Sequence, residues 1–439
     1  MIKIYENLKT IKQSNLFYVI ESEECIENLS FLNLEKALLD KITKTIKEKE
    51  NTLLQFFQNN FESLFIAFYL DKDKKTLTEF LENVTKLPNK FTILSNNKEN
   101  LLSIVDNCLL SRYKFQQYLT EKKEDEINII CEKEIRQKLD DRLETINNII
   151  LARDLETPTC DLYPELFINK AKSLKFRKTK IKILTPRDIQ KQLGLLWAVK
   201  SINKPFMLVL ERIVNRKYPT IIVKIVFDTI NLKPEQWLYL MKDDMSAAVL
   251  ALMKELDRKN LNVNIVACIP LAENSISEAY RPSDILKAYN KTVNVINTDA
   301  ERLILADVSY LSRNYKLDRV ITIATLTACL YAIYRYAIMT DKEIIDKLLS
   351  YSKENFEKYH ELPFEKYYIE KTKSKIADYD NLTEIYAATM GAFIYNFLEN
   401  NEKYTHIDIA VANNNFEPYG LYTKTSTFVD SLSNLFLNM

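Results

Sequence analysis

Ile221-Ile222-Val223-Lys224-Ile225-Val226-Phe227-Asp228 is an apolar, largely β-branched run with a lysine flanked by apolar neighbours and an aspartate at its end. Its length and composition predict a strand, Thr220–Phe227, buried on both faces as in parallel sheets. Similar runs lie on either side: Lys180–Leu184, Phe206–Leu210, Val263–Ile269, Val320–Ala324 and Thr405–Ala410. Helical stretches such as Met245–Lys259 and Glu384–Leu398 separate them. Strands alternating with helices predict an α/β fold whose C-terminal part is a mostly parallel mixed sheet with helices on both faces.

Pro158 and Pro164 open this region, which is expected to span residues 156–439 as one domain. Residues 126–155, rich in Glu, Lys, Ile and Leu with apolar positions three and four apart, predict a connecting helix. Residues 1–125 predict an N-terminal α/β domain, with strands Phe17–Ile20 and Leu64–Tyr69 and helices Leu34–Glu48 and Lys75–Leu87. Nothing in them points to catalysis.

A chain of 439 residues suits two domains, and 47% hydrophobic with 28% charged residues allows a large core. Lys+Arg 61 against Asp+Glu 60 argues against a nucleic-acid protein held by bulk charge. The basic run Lys172, Lys175, Arg177, Lys178, Lys180 reads as a solvated face. Cys25, Cys108, Cys131, Cys160, Cys268 and Cys329 show no metal-ligand spacing and read as reduced, mostly buried thiols. Met-Ile-Lys-Ile-Tyr-Glu lacks a signal-peptide core, and Val320–Tyr334 is shorter than the ~20 residues of a membrane span. A cytoplasmic protein without membrane contact is expected. His360 and His406 are the only histidines, which disfavours a histidine-based zinc site or a Ser-His-Asp triad; both read as structural or surface residues. Tyr331, Tyr334 and Tyr336 read as core packing.

Carboxylates gather at the predicted strand ends: Asp228, then Asp244 in Met-Lys-Asp-Asp-Met, then Asp299 and Glu301 in Asn297-Thr298-Asp299-Ala300-Glu301. Open α/β sheets bind ligands beyond the carboxyl ends of their strands. Converging carboxylates need cations there, because buried like charges otherwise protonate. Four of them can supply two divalent ions, as in two-metal hydrolases.

Val-Phe-Asp-Thr, Leu-Lys-Pro, Met-Lys-Asp-Asp-Met, Ala-Glu-Asn, Tyr-Arg-Pro-Ser-Asp, Asn-Thr-Asp-Ala-Glu, Arg-Leu-Ile-Leu-Ala-Asp and Ala-Thr-Leu-Thr occur here in the order they have in leucyl aminopeptidases. The chain resembles that family from about residue 150 onward. The resemblance implies a two-metal exopeptidase that removes N-terminal residues, leucine-type, from peptides. It implies Lys224, Asp228, Asp244 and Glu301 as one metal site, and Asp228, Asp299 and Glu301 as the other. Manganese or zinc is expected, with magnesium or cobalt as further family metals. Lys233 would stabilise the oxyanion and Arg302 would hold a bicarbonate. Met241, Asn297, Thr325 and Leu326 would contact substrate. A homohexamer is implied as well. The alternative is a catalytically impaired homologue acting as a hexameric scaffold or DNA-binding protein.

The departures from the family share one character. The signature Asn-Thr-Asp-Ala-Glu-Gly-Arg-Leu appears here with Glu301 directly before Arg302, and Val-Gly-Lys-Gly appears as Val223-Lys224-Ile225. Only Gly194, Gly391 and Gly420 remain, where ~7% usage would give roughly thirty. Divergence substitutes glycine with Ala, Ser or Asn and does not excise it repeatedly. The pattern is that of a gene in which a codon read as glycine has been skipped, a hypothesis that contiguous sense codons across Glu301–Arg302 would sink. In the chain as it stands, Lys224 and Asp228 are four apart rather than five. Within an extended segment, a one-residue shift turns a side chain to the opposite face.

Overall fold

The computed structural model describes residues 1–6, 15–20, 35–48, 53–58, 61–68, 82–95, 98–155, 163–200, 203–230, 246–274, 280–298, 300–326, 336–354, 357–382, 387–409 and 427–439. These fall into two compact units, residues 1–150 and residues from 151 onward.

The first unit contains β1 (Ile2–Tyr5), β2 (Asn15–Ile20), α1 (Lys36–Lys47), β3 (Leu53–Gln58), β4 (Phe61–Phe68), β5 (Lys90–Leu94), α2 (Lys98–Ser111), β6 (Glu126–Ile130) and most of α3 (Lys133–Leu155). The strands form one sheet in the order β1-β6-β5-β2-β4-β3, parallel except for β3 against β4. β2 is apolar and buried over Leu16–Ile20, as a strand covered on both faces must be. One expectation needs correction here. The connecting helix does not begin at residue 126: Glu126–Ile130 pairs with both β1 and β5, because Ile127 and Ile129 alternate with polar neighbours at the period of a strand.

The second unit contains α4 (Pro164–Ser173), β7 (Lys180–Leu184), α5 (Pro186–Gln192), α6 (Gly194–Ala198), β8 (Phe206–Arg212), β9 (Thr220–Lys224), β10 (Phe227–Ile230), α7 (Ser246–Arg258) and β11 (Asn264–Asn274). It continues with β12 (Ile285–Lys287), β13 (Thr292–Asn294), α8 (Ala300–Ala306), α9 (Ser309–Asn314), β14 (Arg319–Ala324), β15 (Tyr336–Thr340), α10 (Lys342–Glu354) and β16 (Tyr359–Glu361). α11 (Lys366–Lys371), β17 (Tyr379–Asp380), α12 (Ala387–Tyr395), β18 (Lys403–Asp408) and α13 (Thr427–Leu437) complete it.

The main sheet runs β16-β15-β18-β14-β9-β11-β8-β7, with β10 also on β11. β18, β14, β9 and β11 are mutually parallel, while β8, β7 and β15 join in antiparallel sense. The α/β class and the mostly parallel mixed sheet are therefore as the sequence predicts. Ile222, Val266 and Val320 enter one core with α8 and α12, while the alternate residues Ile221, Val223, Ile265 and Ile321 are also fully buried. Both faces of the sheet are thus covered. No helix among the described residues is long and apolar enough to cross a membrane.

The strand expected over Thr220–Phe227 is interrupted. β9 pairs Lys224 with Cys268 and β10 pairs Phe227 with Leu271, so Ile225 and Val226 stand opposite Ile269 and Pro270 in an unbroken register. Proline has no N–H to offer the ladder, which accounts for the gap. Few glycines also leave a mark: Ser283, Thr340 and Asn401 adopt φ of 72°, 88° and 52°, a region that a β-branched threonine enters only under strain.

Candidate active site

α8 begins one residue after Asp299 and lies against the carboxyl ends of β9 and β14. Contacts at three places hold it. Glu301, half-buried in its first turn, receives the Thr325 backbone N–H on Oε1 at 3.0 Å and the Thr325 hydroxyl on Oε2 at 2.9 Å. Thr325 directly follows β14, so the carboxylate is fixed to a strand end by two bonds that leave each oxygen further lone pairs. Arg302 is buried and its Nη2 donates to the Leu326 carbonyl at 3.2 Å.

At the other end of α8 stands Lys224, 1% exposed. Its Nζ donates to the carbonyls of Ile304 and Leu305 at 2.8 and 3.1 Å, satisfying terminal acceptors of the helix. Asp307, also buried, accepts the Leu196 N–H at 2.7 Å. Burial lowers the Lys224 pKa to about 8 against the opposing pull of Asp307, and burial raises the Asp307 pKa to about 6 against the charge of Lys224. The Lys224 value leaves the ammonium form predominant at neutral pH.

The third contact lies before α8. Asn381, fully buried just after β17, accepts the N–H groups of Ile296 and Asn297 on Oδ1 at 2.7 and 3.0 Å and donates from Nδ2 to the Asn297 carbonyl at 2.6 Å. The Tyr280 hydroxyl donates to the Thr298 carbonyl at 2.7 Å. Neither residue was singled out from the sequence for this role. Asn381 lies 84 and 85 residues from its partners, and no local pattern announces such a contact.

Of the sequence-predicted site residues, Glu301 and Thr325 are brought together, as are Arg302 and Leu326. Asn297 is held by Asn381. Asp228 lies in β10, its backbone opposite Ala272, but its side chain is outside the described residues. Lys233, Met241, Asp244 and Asp299 also lie outside them. Among the described residues, no group of three or more His, Cys, Asp or Glu is placed to hold a metal ion. A divalent ion needs lone-pair donors, which Glu301 offers. Lys224, expected as a ligand, here donates from Nζ to two carbonyls at the helix end, an arrangement in which a neutral amine would still keep its lone pair. One residue more or fewer in this extended segment would turn it to the other face.

The two histidines are structural and surface residues, as read from the sequence. His360 is exposed on β16. His406 is fully buried on β18, its Nδ1 sharing a hydrogen bond with the Thr322 hydroxyl at 2.8 Å. Burial lowers its pKa from 6.5 to about 3. The unfolded chain binds this proton near 6.5 and the folded one does not, so the stabilisation is complete above pH 6.5 and declines as pH falls toward 3. At ~1.36 kcal/mol per pH unit, stability in urea should fall by about 2–3 kcal/mol between pH 6.5 and 4.5 through this residue. His406→Gln should flatten that slope; an unchanged slope would assign the acid lability elsewhere.

The basic run is a solvated face, with Lys172, Lys175, Arg177, Lys178 and Lys180 all exposed, while the backbone N–H groups of Arg177 and Lys178 donate to buried Asp257 at 2.6 and 2.8 Å. Cys108, Cys131 and Cys268 are free and buried. Tyr331, Tyr334 and the side chain of Tyr336 lie outside the described residues.

The model of the cytosol aminopeptidase family, catalytic domain, matches residues 150–431. A probable cytosol aminopeptidase of Clostridium tetani is 30% identical over 449 residues, covering 93% of this chain and 90% of that protein. Probable cytosol aminopeptidase 1 of Shewanella oneidensis is 34% identical over 299 residues, 63% of this chain and 60% of that protein. Among solved structures, the cytosol aminopeptidase of Coxiella burnetii superposes with a TM-score of 0.81 at 20% identity, covering 100% of this chain and 98% of that one. A bottromycin maturation enzyme solved in complex with Mn superposes with a TM-score of 0.78 at 20% identity, covering 96% and 99%. At such identities the superpositions establish the shared fold.

Proposed function

The chain belongs to the cytosol aminopeptidase family, a family of metallo-aminopeptidases, and from that premise we propose that it removes N-terminal, leucine-type residues from peptides with the help of two divalent metal ions. The observation that carries the reading is the placement of Glu301, a carboxylate fixed by Thr325 at the carboxyl end of β14.

The residues proposed to hold the ions are Asp228, Asp244, Asp299 and Glu301, a set of hard oxygen donors suited to manganese, magnesium or zinc, with the Lys224 amine in its neutral form as a further ligand. Manganese is the first choice, since one protein of the same fold was solved with it. When bound, such a pair supplies Lewis-acid polarisation and a water of lowered pKa. The chain's own groups do the rest. Thr325 holds the Glu301 carboxylate in one orientation, which removes the entropy of finding it. Arg302, anchored through the Leu326 carbonyl, keeps a guanidinium beside the site and is proposed to bind bicarbonate. Lys233 is proposed to neutralise charge developing on the scissile carbonyl oxygen. Met241, Asn297, Thr325 and Leu326 are proposed to face the substrate. A homohexamer in the cytosol belongs to the same reading.

The test is hydrolysis of a leucyl chromogenic amide. Activity should appear with Mn²⁺, disappear with a chelator and return when the ion is restored. Absence of hydrolysis with Mn²⁺, Zn²⁺, Co²⁺ and Mg²⁺ alike would overturn the proposal.

A further inference from the structure

The loop between β13 and α8 leads into the candidate site; after Val295, which is fully buried, its described side chains bury little. Ile296 is 45% exposed, and Asn297 and Thr298 are only half-buried. A stretch such as 296–298, with no fully buried side chain, is ordinarily among the more mobile parts of a fold. Here its backbone is held by groups from elsewhere. Asn381 takes two consecutive N–H groups on one oxygen and returns a hydrogen bond to the Asn297 carbonyl, so one amide side chain replaces a neighbouring strand. Its own N–H donates to the Asn294 carbonyl at 3.2 Å, and Asn294 in turn donates to Asp380 at 2.7 Å. The β13–β17 pairing therefore runs on, through Asn381, to within two residues of Asp299. Tyr280, 7% exposed, secures the next carbonyl, that of Thr298.

We infer that Asn381, assisted by Tyr280, is a positioning residue that sets the geometry of the acidic donors at the start of α8. The inference rests on the reading of those residues as metal ligands. Asn381 touches no substrate and acts through the backbone of residues 296–298. Outer partners that orient ligands typically change metal affinity by ~10–100-fold when removed.

Two conservative variants of the full chain test it. Tyr280→Phe removes one hydroxyl. Asn381→Asp keeps the acceptor oxygen but loses the donor to Asn297 and sets a charge against its carbonyl. Metal-free protein is melted, Mn²⁺ affinity is read from the electron paramagnetic resonance signal of the free ion, and kcat and KM are measured on the leucyl amide. Expected is a Tyr280→Phe protein that melts close to wild type while binding Mn²⁺ about tenfold more weakly. Asn381→Asp should show the larger loss, with kcat lowered and KM little changed. If both variants melt lower yet bind Mn²⁺ and turn over as wild type does, the role is structural only and the inference fails. A wild type that neither binds Mn²⁺ nor hydrolyses the amide overturns the proposed function, and this inference with it.

Discussion

Glu301→Ala is expected to abolish most of the aminopeptidase activity while leaving the fold intact. The carboxylate occupies the first turn of α8 and accepts two hydrogen bonds from Thr325. Alanine is a strong helix former, and the half-buried site loses little apolar contact, so a melting temperature within a few degrees of wild type is expected. The functional loss should exceed the ~10–100-fold typical of an outer partner, reaching on the order of 10³ in kcat/KM. Thr325→Val supplies the graded control. It removes the hydroxyl bonded to Glu301 Oε2 and keeps the backbone N–H on Oε1, so its loss should lie between wild type and Glu301→Ala. Glu301→Ala with kcat/KM within tenfold of wild type would remove this residue from the site.

Lys224→Met is expected to act in the opposite way, on stability first. Methionine matches the length of lysine but offers no donor. The carbonyls of Ile304 and Leu305 would lose their partner in the core, and buried Asp307 would lose the nearby cation that favours its charge. Removing one member of a buried charged arrangement costs about 3–5 kcal/mol, or roughly 6–20 °C in melting temperature at ~2–4 °C per kcal/mol. Asp307→Asn in the same background should recover part of the loss, because the stranded charge is then gone. The melt is made on metal-free protein, which separates this role from ligation. A Lys224→Met protein that melts as wild type but no longer binds Mn²⁺ would show that the lysine serves the metal instead.

The contrast between these residues shows what the chain discloses in one dimension. Glu301 is legible because its block, Asn297–Asp307, is contiguous, and because its flanking strands have the β-branched runs of a parallel sheet. Lys224 is legible as a buried charge but not in its direction, since face alternates with each residue and a strand carries no mark of its register. Strand β6 hides in a Glu- and Ile-rich stretch whose spacing also suits a helix, and pairing with β1 and β5 decides it. The break at Ile225–Val226 is set by Pro270, forty-four positions away on the neighbouring strand by the register of the pairing. Asn381 and Tyr280 act through backbone groups, which every residue shares, so their partners leave no trace in residue type.

Gly194 shows where glycine is indispensable in this chain. A Cβ there would collide with the carbonyl oxygen of Lys287, so α6 can approach the β12 strand only with hydrogen at that position. Its φ is not positive, whereas Ser283, Thr340 at the end of β15, and Asn401 hold left-handed backbone without glycine. Scarcity has therefore been absorbed unevenly at these positions. A turn accommodates a larger residue by accepting local strain, while a close approach between two backbones admits no substitute. In a fold stripped of nearly all its smallest residues, tolerance ends where main chains meet and not where they bend.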